Sequence, residues 1–435
     1  MKIKESVRYF LIGDKVYLRD TETYKDYLFN ETVFDILQII SHTSECTMEM
    51  LLKRLLEIYD IEDVDEFWKD ITQFIQELGA DGLLEDESIP KTENYGHILD
   101  NIREWCDEQH RLYSVCLEMT YRCNEKCIHC YIDDQRFEKE LSFEDYRSII
   151  NQLTEMGCIN ILLTGGEVSL HPDFIEVAEY ASYKGLLVDI YTNGYNISKS
   201  LLEKMIALRP NSISFSFYGG NAAIHDAVTG IPGSFERSLC TAMMCKCSGV
   251  DTFIKSIGLQ QNIDSLDELY RLGKLLNIPV EIAKLVLPSH TEGKNLESIH
   301  LKTLDDYIKL LCLEEEYKEK IPRAGIRKET VFTCLAGRTT MSIDPYGNVH
   351  PCNAISAQLG NVKEQPISEI WENSRQWVRV TKAKGGSAKH CLSCKYQQYC
   401  GICLGGVDLS NSFALKTTDM CAIAKGTYQF LKERR

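Results

Sequence analysis

Tyr121–Tyr131 reads YRCNEKCIHCY and places Cys123, Cys127 and Cys130 at C-x3-C-x2-C spacing. Three thiolates can hold three irons of a cubane [4Fe–4S] cluster, whose full complement of ligands is four, so one iron stays free for an exchangeable ligand. A zinc site or a set of packing cysteines is the alternative that this spacing alone leaves open. Immediately upstream, Leu112–Thr120 is apolar and strand-like; downstream, Ser142 in SFED is suited to cap a helix over Phe143–Met156. Further out, strand-like segments recur at Asn160–Thr164, Leu187–Thr192, Ser212–Phe217, Thr252–Leu259 and Val280–Val286, with helical patterns between them. Six strands alternating with helices imply an α/β fold, a parallel sheet closed by crossover helices into a partial (β/α)6 barrel. In such a fold the chemistry gathers beyond the C-terminal strand ends. Cys123 follows the first strand, Gly165 the second, Asn193 the third and Gly219 the fourth.

Composition narrows the class. A chain of 435 residues has room for about three domains. Its 44% hydrophobic and 26% charged content is that of an ordinary globular protein. No apolar run approaches a membrane span, and MKIKESVRYF at the N-terminus has no signal-peptide h-region. A cytoplasmic protein with no membrane partner is therefore expected. The formal charge of −16 lacks the basic footprint of a nucleic-acid surface. Cysteine is the outlier at 18, and without a secretion signal metal binding is favoured over a disulfide framework. Cys46, Cys106, Cys116, Cys158, Cys240, Cys245, Cys247 and Cys312 lie mostly in apolar segments and read as packing residues.

Three further patterns carry chemistry or recognition. Thr164-Gly165-Gly166-Glu167 ends the second strand; its glycines permit a close ligand approach and positive φ, and Glu167 offers a carboxylate to an ammonium group. At the other end of the chain Cys334, Cys352, Cys391, Cys394, Cys400, Cys403 and Cys421 form a second spaced set, with Gly347 in the turn DPYGN placed to make a hairpin that presents Cys352. The five residues between Cys394 and Cys400 are too few for a zinc ribbon's usual spacing. Near the start, Val7–Ile12, Lys15–Asp20 and Tyr24–Leu28 read as strands, with Gly13-Asp14 as the first turn. Glu31–Ile40, Thr47–Tyr59 and Asp63–Leu78 follow as helices, giving a winged-helix-like βββααα order.

Together these features resemble the radical S-adenosylmethionine (SAM) enzymes. There the open iron chelates SAM, and an electron from the cluster cleaves it to a 5′-deoxyadenosyl radical. The resemblance implies a TIM-like partial barrel in which Cys123, Cys127 and Cys130 bind the cluster. It also implies SAM contacts from His129, Gly165, Gly166, Glu167, Asn193 in TNG, and Ser216 in SFSFYG. His129 stands where the family often has an aromatic ring. The C-terminal set resembles the SPASM domain, which carries two auxiliary [4Fe–4S] clusters; the C-x2-C pair Cys400/Cys403 departs from the more familiar C-x3-C. On that likeness Cys391, Cys394, Cys400 and Cys421 fully ligate one cluster and Cys334, Cys352 and Cys403 the other. The other cluster's fourth position is left to a substrate thiolate, a nonmotif cysteine or another side chain.

The N-terminal module resembles the precursor-peptide recognition element of peptide-modifying enzymes, which adds a leader peptide as a strand beside its third strand and against a helix. The resulting layout is a recognition element at 1–90, a linker at 91–110, the radical SAM barrel at 111–290, a bridging region at 291–330, the SPASM domain at 331–425 and a C-terminal helix at 426–435. The whole is similar to sactisynthases and ranthipeptide synthases, which join a cysteine sulfur to a carbon of another residue. That likeness implies a precursor peptide with a leader as partner, and an electron donor such as flavodoxin or ferredoxin. A carbon–carbon crosslinking enzyme, for example one joining Lys to Trp, and a non-catalytic iron–sulfur electron-transfer protein are the rival readings. Asn353, after Cys352, argues against a sulfatase-maturing type, which uses an aspartate as base.

Overall fold

The structure, a computed structural model, describes residues 1–4, 6–12, 15–20, 23, 25–43, 46–59, 61, 63–85, 103, 105–132, 139–287, 296–317, 334–385, 394–396, 399–400, 403–404, 407–408, 414–415 and 419–432. Gly13-Asp14, residues 91–102 of the expected linker, residues 318–330 of the bridging region and Cys391 lie outside the described residues. The chain divides into two units, Met1–Gln109 and His110–Arg435.

In the first unit β1 (Val7–Ile12), β2 (Lys15–Asp20) and β3 (Lys25–Asn30) form an antiparallel meander in the order β1-β2-β3. Helices α1 (Thr32–His42), α2 (Met48–Ile58) and α3 (Val64–Ala80) follow. Local chemistry sets two of the helix starts. The Thr47 hydroxyl accepts from the Met50 amide, and the Asp63 carboxylate accepts from the amides of Asp65 and Glu66. Val16 and Leu18 of β2 pack with Ile36, Leu37, Leu51, Leu55 and Ile71 into a core of their own. Phe29 of β3 meets Phe74 of α3 edge-on at 5.4 Å between centroids, while Leu28 points the other way and is exposed.

The second unit is built on six parallel strands: β4 (Ser114–Thr120), β5 (Asn160–Gly165), β6 (Leu187–Thr192), β7 (Ser212–Ser216), β8 (Thr252–Ile257) and β9 (Val280–Ala283). The crossovers carry α4 (Phe143–Glu155), α5 (Phe174–Tyr183), α6 (Lys199–Ala207), α7 (Ala222–Thr229), α8 (Ser234–Cys247) and α9 (Leu266–Leu276). Strand residues alternate between two faces. Val115, Leu117, Met119, Ile161, Leu163, Ile190, Ile213 and Phe215 turn to the helices and join Tyr146, Ile149, Ile150 and Phe174 in the main core. The other face is polar: Ser114 donates to Asn160 at 2.8 Å, and Asn160 and Ser212 donate to Asp189 at 2.7 and 2.6 Å. β9 stops at Ala283, short of the expected Val286, because Val286 leaves the sheet to pack with Tyr218, Val228 and Leu259.

The sheet does not end where a separate C-terminal domain would leave it. β10 (Thr340–Ile343) pairs in parallel with β4, followed by β11 (Asn348–His350) and β12 (Gly360–Asn361), giving nine strands in the order β12-β11-β10-β4-β5-β6-β7-β8-β9. Met341, Ile343 and Val349 alternate into the same core as Val115 and Leu117, which is why the strands join. The turn between β10 and β11 is the expected hairpin. Asp344 Oδ1 accepts from the amides of Tyr346 and Asn348, and Gly347 takes φ +94°. Within the bridging region α10 (Leu304–Tyr317) is a helix; α11 (Ile367–Gly385) follows the sheet. The last helix, expected at 426–435, is α12 (Asp419–Lys432). It starts earlier because buried Met420 and Ala424 extend its apolar side upstream, so Cys421 lies in its first turn. Among the described residues no helix is long and apolar enough to cross a membrane.

Ser142 and Asp145 form a reciprocal capping box at the start of α4, the helix that follows the cysteine loop. Ser142→Ala should lower stability by about 1 kcal/mol, read as a lower urea midpoint by circular dichroism with an unchanged slope.

Candidate active site

The cysteine loop leaves β4 at Thr120 and is pinned to the ends of β5 and β6 and to helix α7. The amides of Lys126 and Ile128 donate to the carbonyls of Thr229 and Val228 at the end of α7, at 2.8 and 3.0 Å. Asn193, just past β6, donates through Nδ2 to Asn124 Oδ1 at 2.7 Å and lies 3.9 Å from the Cys123 sulfur. Asn124 in turn donates to the Tyr195 carbonyl at 2.9 Å. The Cys127 thiol donates to Glu125 at 3.4 Å, and the Cys130 thiol to the Ile132 carbonyl at 3.3 Å. Burial pushes the Cys123 thiol up to about 12, with Glu167, Glu125 and Cys130 adding to it. Burial, Glu125, Cys123 and Cys130 hold the Cys127 thiol well above its ordinary value. Cys123 and Cys127 share an electrostatic field that disfavours bare thiolates and that a bound cation would offset, the chemistry of an iron–sulfur cluster site.

Gly165 and Gly166 bring the end of β5 against the chain's own backbone. Gly165 adopts φ +139°, and a Cβ there would overlap the Thr120 carbonyl; a Cβ on Gly166 would overlap the Arg122 carbonyl. The Gly166 and Glu167 amides donate to those same two carbonyls at 2.7 and 2.8 Å. The space the glycines open is thus filled by the chain's own backbone, which seats the cysteine loop on the end of β5. Glu167 is 1% exposed, and its carboxylate accepts from the Ser169 amide at 3.0 Å, the Thr192 hydroxyl at 2.7 Å and the Asn193 amide at 2.7 Å. About four lone-pair sites on a carboxylate leave one for a ligand ammonium.

His129 and Ser216 converge on a residue that sequence reasoning missed. The His129 ring lies edge-on to Tyr218 at 4.6 Å, and nearby Ser216 partly offsets the burial that holds the Tyr218 phenol well above its ordinary value. Tyr218 stands in SFSFYG two positions beyond Ser216, with no spacing signal of its own to mark it.

The C-terminal cysteines separate into groups. Cys334, Cys352, Cys400 and Cys403 border a small apolar cluster of Ala336, Ile355, Leu404 and Met420. Burial pushes the Cys352 thiol up to about 11, and Cys334, Cys403 and Glu118 add to the shift. Cys394 and Cys421 are exposed. Cys116 of β4, read as packing, faces Cys352: burial, Glu118 and Cys352 together hold its thiol well above the usual value. Among the described residues no three His, Cys, Asp or Glu side chains converge as a cage for a single ion. Cys334, Cys352, Cys400 and Cys403, gathered around one apolar cluster, are the soft thiolate donors that iron–sulfur clusters take.

Residues 117–273 match the Radical SAM superfamily, and residues 334–395 match SPASM, an iron-sulfur cluster-binding domain. The chain thus carries a radical SAM domain and a SPASM domain, so its cofactors are SAM with a [4Fe–4S] cluster, and auxiliary iron–sulfur clusters. The AdoMet-dependent heme synthase of Methanosarcina barkeri is 26% identical over 318 residues, 66% of this chain and 90% of that protein. The antilisterial bacteriocin subtilosin biosynthesis protein AlbA of Bacillus subtilis is 24% identical over 429 residues, 94% of this chain and 91% of that protein. The solved structure of Streptococcus suis SuiB bound to S-adenosylmethionine has a TM-score of 0.63 at 17% identity, covering 97% of this chain and 100% of that one, a likeness of fold.

Anaerobically reconstituted protein should hold about twelve irons per chain, by the four-iron count for three cubanes. Replacing Cys123, Cys127 and Cys130 together by Ala should leave about eight and abolish SAM cleavage, measured by iron assay and 5′-deoxyadenosine chromatography.

Proposed function

We propose that this chain is a maturase of a ribosomally synthesised peptide and installs an intramolecular crosslink, with a cysteine thioether as the product. The observation that carries this reading is the placement of the Cys123–Cys130 loop and the Cys352 hairpin on adjoining strands of one sheet, joined through Tyr131 and Asn353. Bound there, SAM and its cluster supply a carbon-centred radical, and the auxiliary clusters supply an electron acceptor. The residues of the chain provide aim. His129, Gly165, Gly166, Glu167, Asn193 and Ser216 line the strand ends where SAM would lie. Cys123, Cys127 and Cys130 hold the SAM-binding cluster in this reading. Cys391, Cys394, Cys400 and Cys421 hold one auxiliary cluster, and Cys334, Cys352 and Cys403 the other. Holding acceptor carbon and sulfur near contact is what selects one residue of a flexible peptide.

The recognition element read over residues 1–90, within the first unit, supports a leader-guided substrate. β3 pairs only with β2 among the described residues and carries Phe29 against α3, an edge suited to an added peptide strand. AlbA, whose printed role is subtilosin biosynthesis, matches 94% of this chain, a share that must extend into this unit; the heme synthase match covers 66%. SuiB, similar in fold, has been observed with its precursor peptide SuiA. A flavodoxin or ferredoxin of a reducing cytoplasm would deliver the electron.

Deleting residues 1–109 should spare uncoupled SAM cleavage and abolish modification of a full-length precursor. The product of the intact enzyme should lack a pair of hydrogens and one alkylatable thiol per link, read by tandem mass spectrometry after alkylation. If every cysteine still alkylates while the mass falls, the carbon–carbon crosslink is the correct reading.

A further inference from the structure

The polar face of β4 holds a carboxyl that takes no part in the contacts seating the cysteine loop on β5, β6 and α7. Glu118 is 1% exposed, and its carboxylate accepts from the Tyr131 phenol at 3.0 Å and the Tyr121 phenol at 3.4 Å. The Tyr131 oxygen accepts from Asn353 Nδ2 at 2.9 Å, and Asn353 Oδ1 accepts from the Cys352 thiol at 3.2 Å. Tyr131 directly follows Cys130, and Asn353 directly follows Cys352. Glu118 therefore stands between the two cysteine-bearing loops. It also lines a cavity of about 210 Å³ whose walls include Tyr121, Asp344, His350, Asn353 and Ser356.

We propose that Glu118 is the proton acceptor of the crosslinking step, taking the proton released by the peptide as the new bond closes. The inference rests on the peptide-maturase reading above. An oxidative crosslink removes a pair of hydrogens from the peptide. One leaves as a hydrogen atom to the SAM-derived radical, which leaves a carbon radical on the acceptor residue. When the donor thiol closes on that radical, the S–H bond breaks and the C–S bond forms. The proton passes to a Glu118 oxygen, and the surplus electron passes to an oxidised iron–sulfur cluster of the SPASM domain.

The neighbours single out Glu118 for this task. The Asn353 amide cannot take the proton. Burial, followed by the charge of Glu118, holds the Tyr131 phenol well above its ordinary value, so it stays protonated as a donor. Burial pushes Glu118 up to about 7; the Tyr131 bond and His350 draw it down, Asp344 raises it, and the Tyr121 bond lowers it again. Cys116 on β4 and Cys352 beyond the hairpin also face it. A base poised near working pH is what proton transfer in a transition state requires. Tyr131 is then a positioning residue, holding the carboxylate toward the hairpin.

The test uses the reconstituted full-length enzyme, its precursor peptide and the variants Glu118→Gln, Glu118→Asp and Tyr131→Phe. Iron content, precursor affinity and the ratio of crosslinked peptide to 5′-deoxyadenosine are measured across pH. Infrared titration separately follows the carbonyl band of a protonated carboxyl. In the wild-type enzyme the ratio should rise with pH through about 7, since only the carboxylate accepts a proton, and an acid band lost in Glu118→Gln should titrate over the same range. Glu118→Gln should lower the ratio about 10²-fold and flatten the profile, with iron content and precursor affinity unchanged. Glu118→Asp should recover part of the ratio together with the pH step. Tyr131→Phe removes a bond that favours the carboxylate, so its midpoint should move to higher pH.

A Glu118→Gln ratio within about twofold of wild type overturns the proposal. Failure of Glu118→Asp to recover any of the ratio overturns it, as does the absence of a titrating acid band near neutrality. Loss of iron or of precursor binding in Glu118→Gln assigns the residue a structural role and overturns it too. Wild-type enzyme that cleaves SAM yet leaves every precursor residue unchanged sinks the maturase reading itself, a result distinct from a working enzyme indifferent to Glu118.

Discussion

Everything at the top of the second unit depends on a contact between two pieces of backbone. The end of β5 lies directly against Thr120–Arg122, where β4 turns into the cysteine loop, and two amide-to-carbonyl bonds hold it there. That approach is closed to any side chain, because a Cβ at Gly165 or Gly166 would occupy the carbonyl positions of Thr120 or Arg122. Overpacking at such a point is relieved only by backbone shifts. From this seat the rest follows. Glu167 emerges aimed at Thr192 and Asn193, Asn193 reaches Asn124, and Cys123 is fixed by way of its neighbours. Strands β4, β5 and β6 are thereby tied at one end by polar groups, much as the apolar core ties them along their length.

The sheet shows how a parallel α/β unit carries a polar face without losing its core. Parallel strands covered by helices on both sides read as unbroken apolar runs. Here the face toward the helices is apolar, and the opposite face carries Ser114, Glu118, Asn160, Asp189 and Ser212 among its residues. Such groups carry a desolvation cost unless each is satisfied. Ser114, Asn160, Asp189 and Ser212 satisfy one another in a closed layer near the N-terminal strand ends. Toward the C-terminal ends the layer opens, and Glu118 finds its partners in loops and in the joining strands.

Much of this was legible before any coordinates. The six strands, the turn at Asp344–Gly347 and the capping of α4 follow from alternation, Asx-turn chemistry and the S-x-x-D pattern, all of them local. What stayed hidden depends on contacts between distant segments. The pairing of Thr340 with Ser114 joins the hairpin to β4, and no local signal in SIDPYGNVHPC distinguishes that from a hairpin standing apart. Glu118 was hidden for a related reason. In LEMT it reads as one polar residue in an apolar strand, and only the arrival of Tyr131 and Asn353 gives it a site. The glycines of TGGE were visible as a need for space; what occupies the space was not.

The charge balance around the cysteine loop explains why such a site needs its metal. Glu125 and Glu167 both raise the Cys123 thiol, and burial pushes Glu125 itself up to about 7, with Glu167 and Asp226 adding to the shift. With its sulfurs protonated, the loop adds no thiolate charge and is held by the carbonyls of Val228 and Thr229. Deprotonating those sulfurs with no cation present would place several negative charges close together beside buried Glu125 and Glu167, a cost that grows as the local dielectric falls. Iron reverses that sign. The same carboxylates that disfavour bare thiolates then favour a positively charged guest, so proton release and metal uptake become one coupled event. The loop's rigidity therefore comes from backbone bonds to α7 and from Asn193, neither of which changes charge when the sulfurs do.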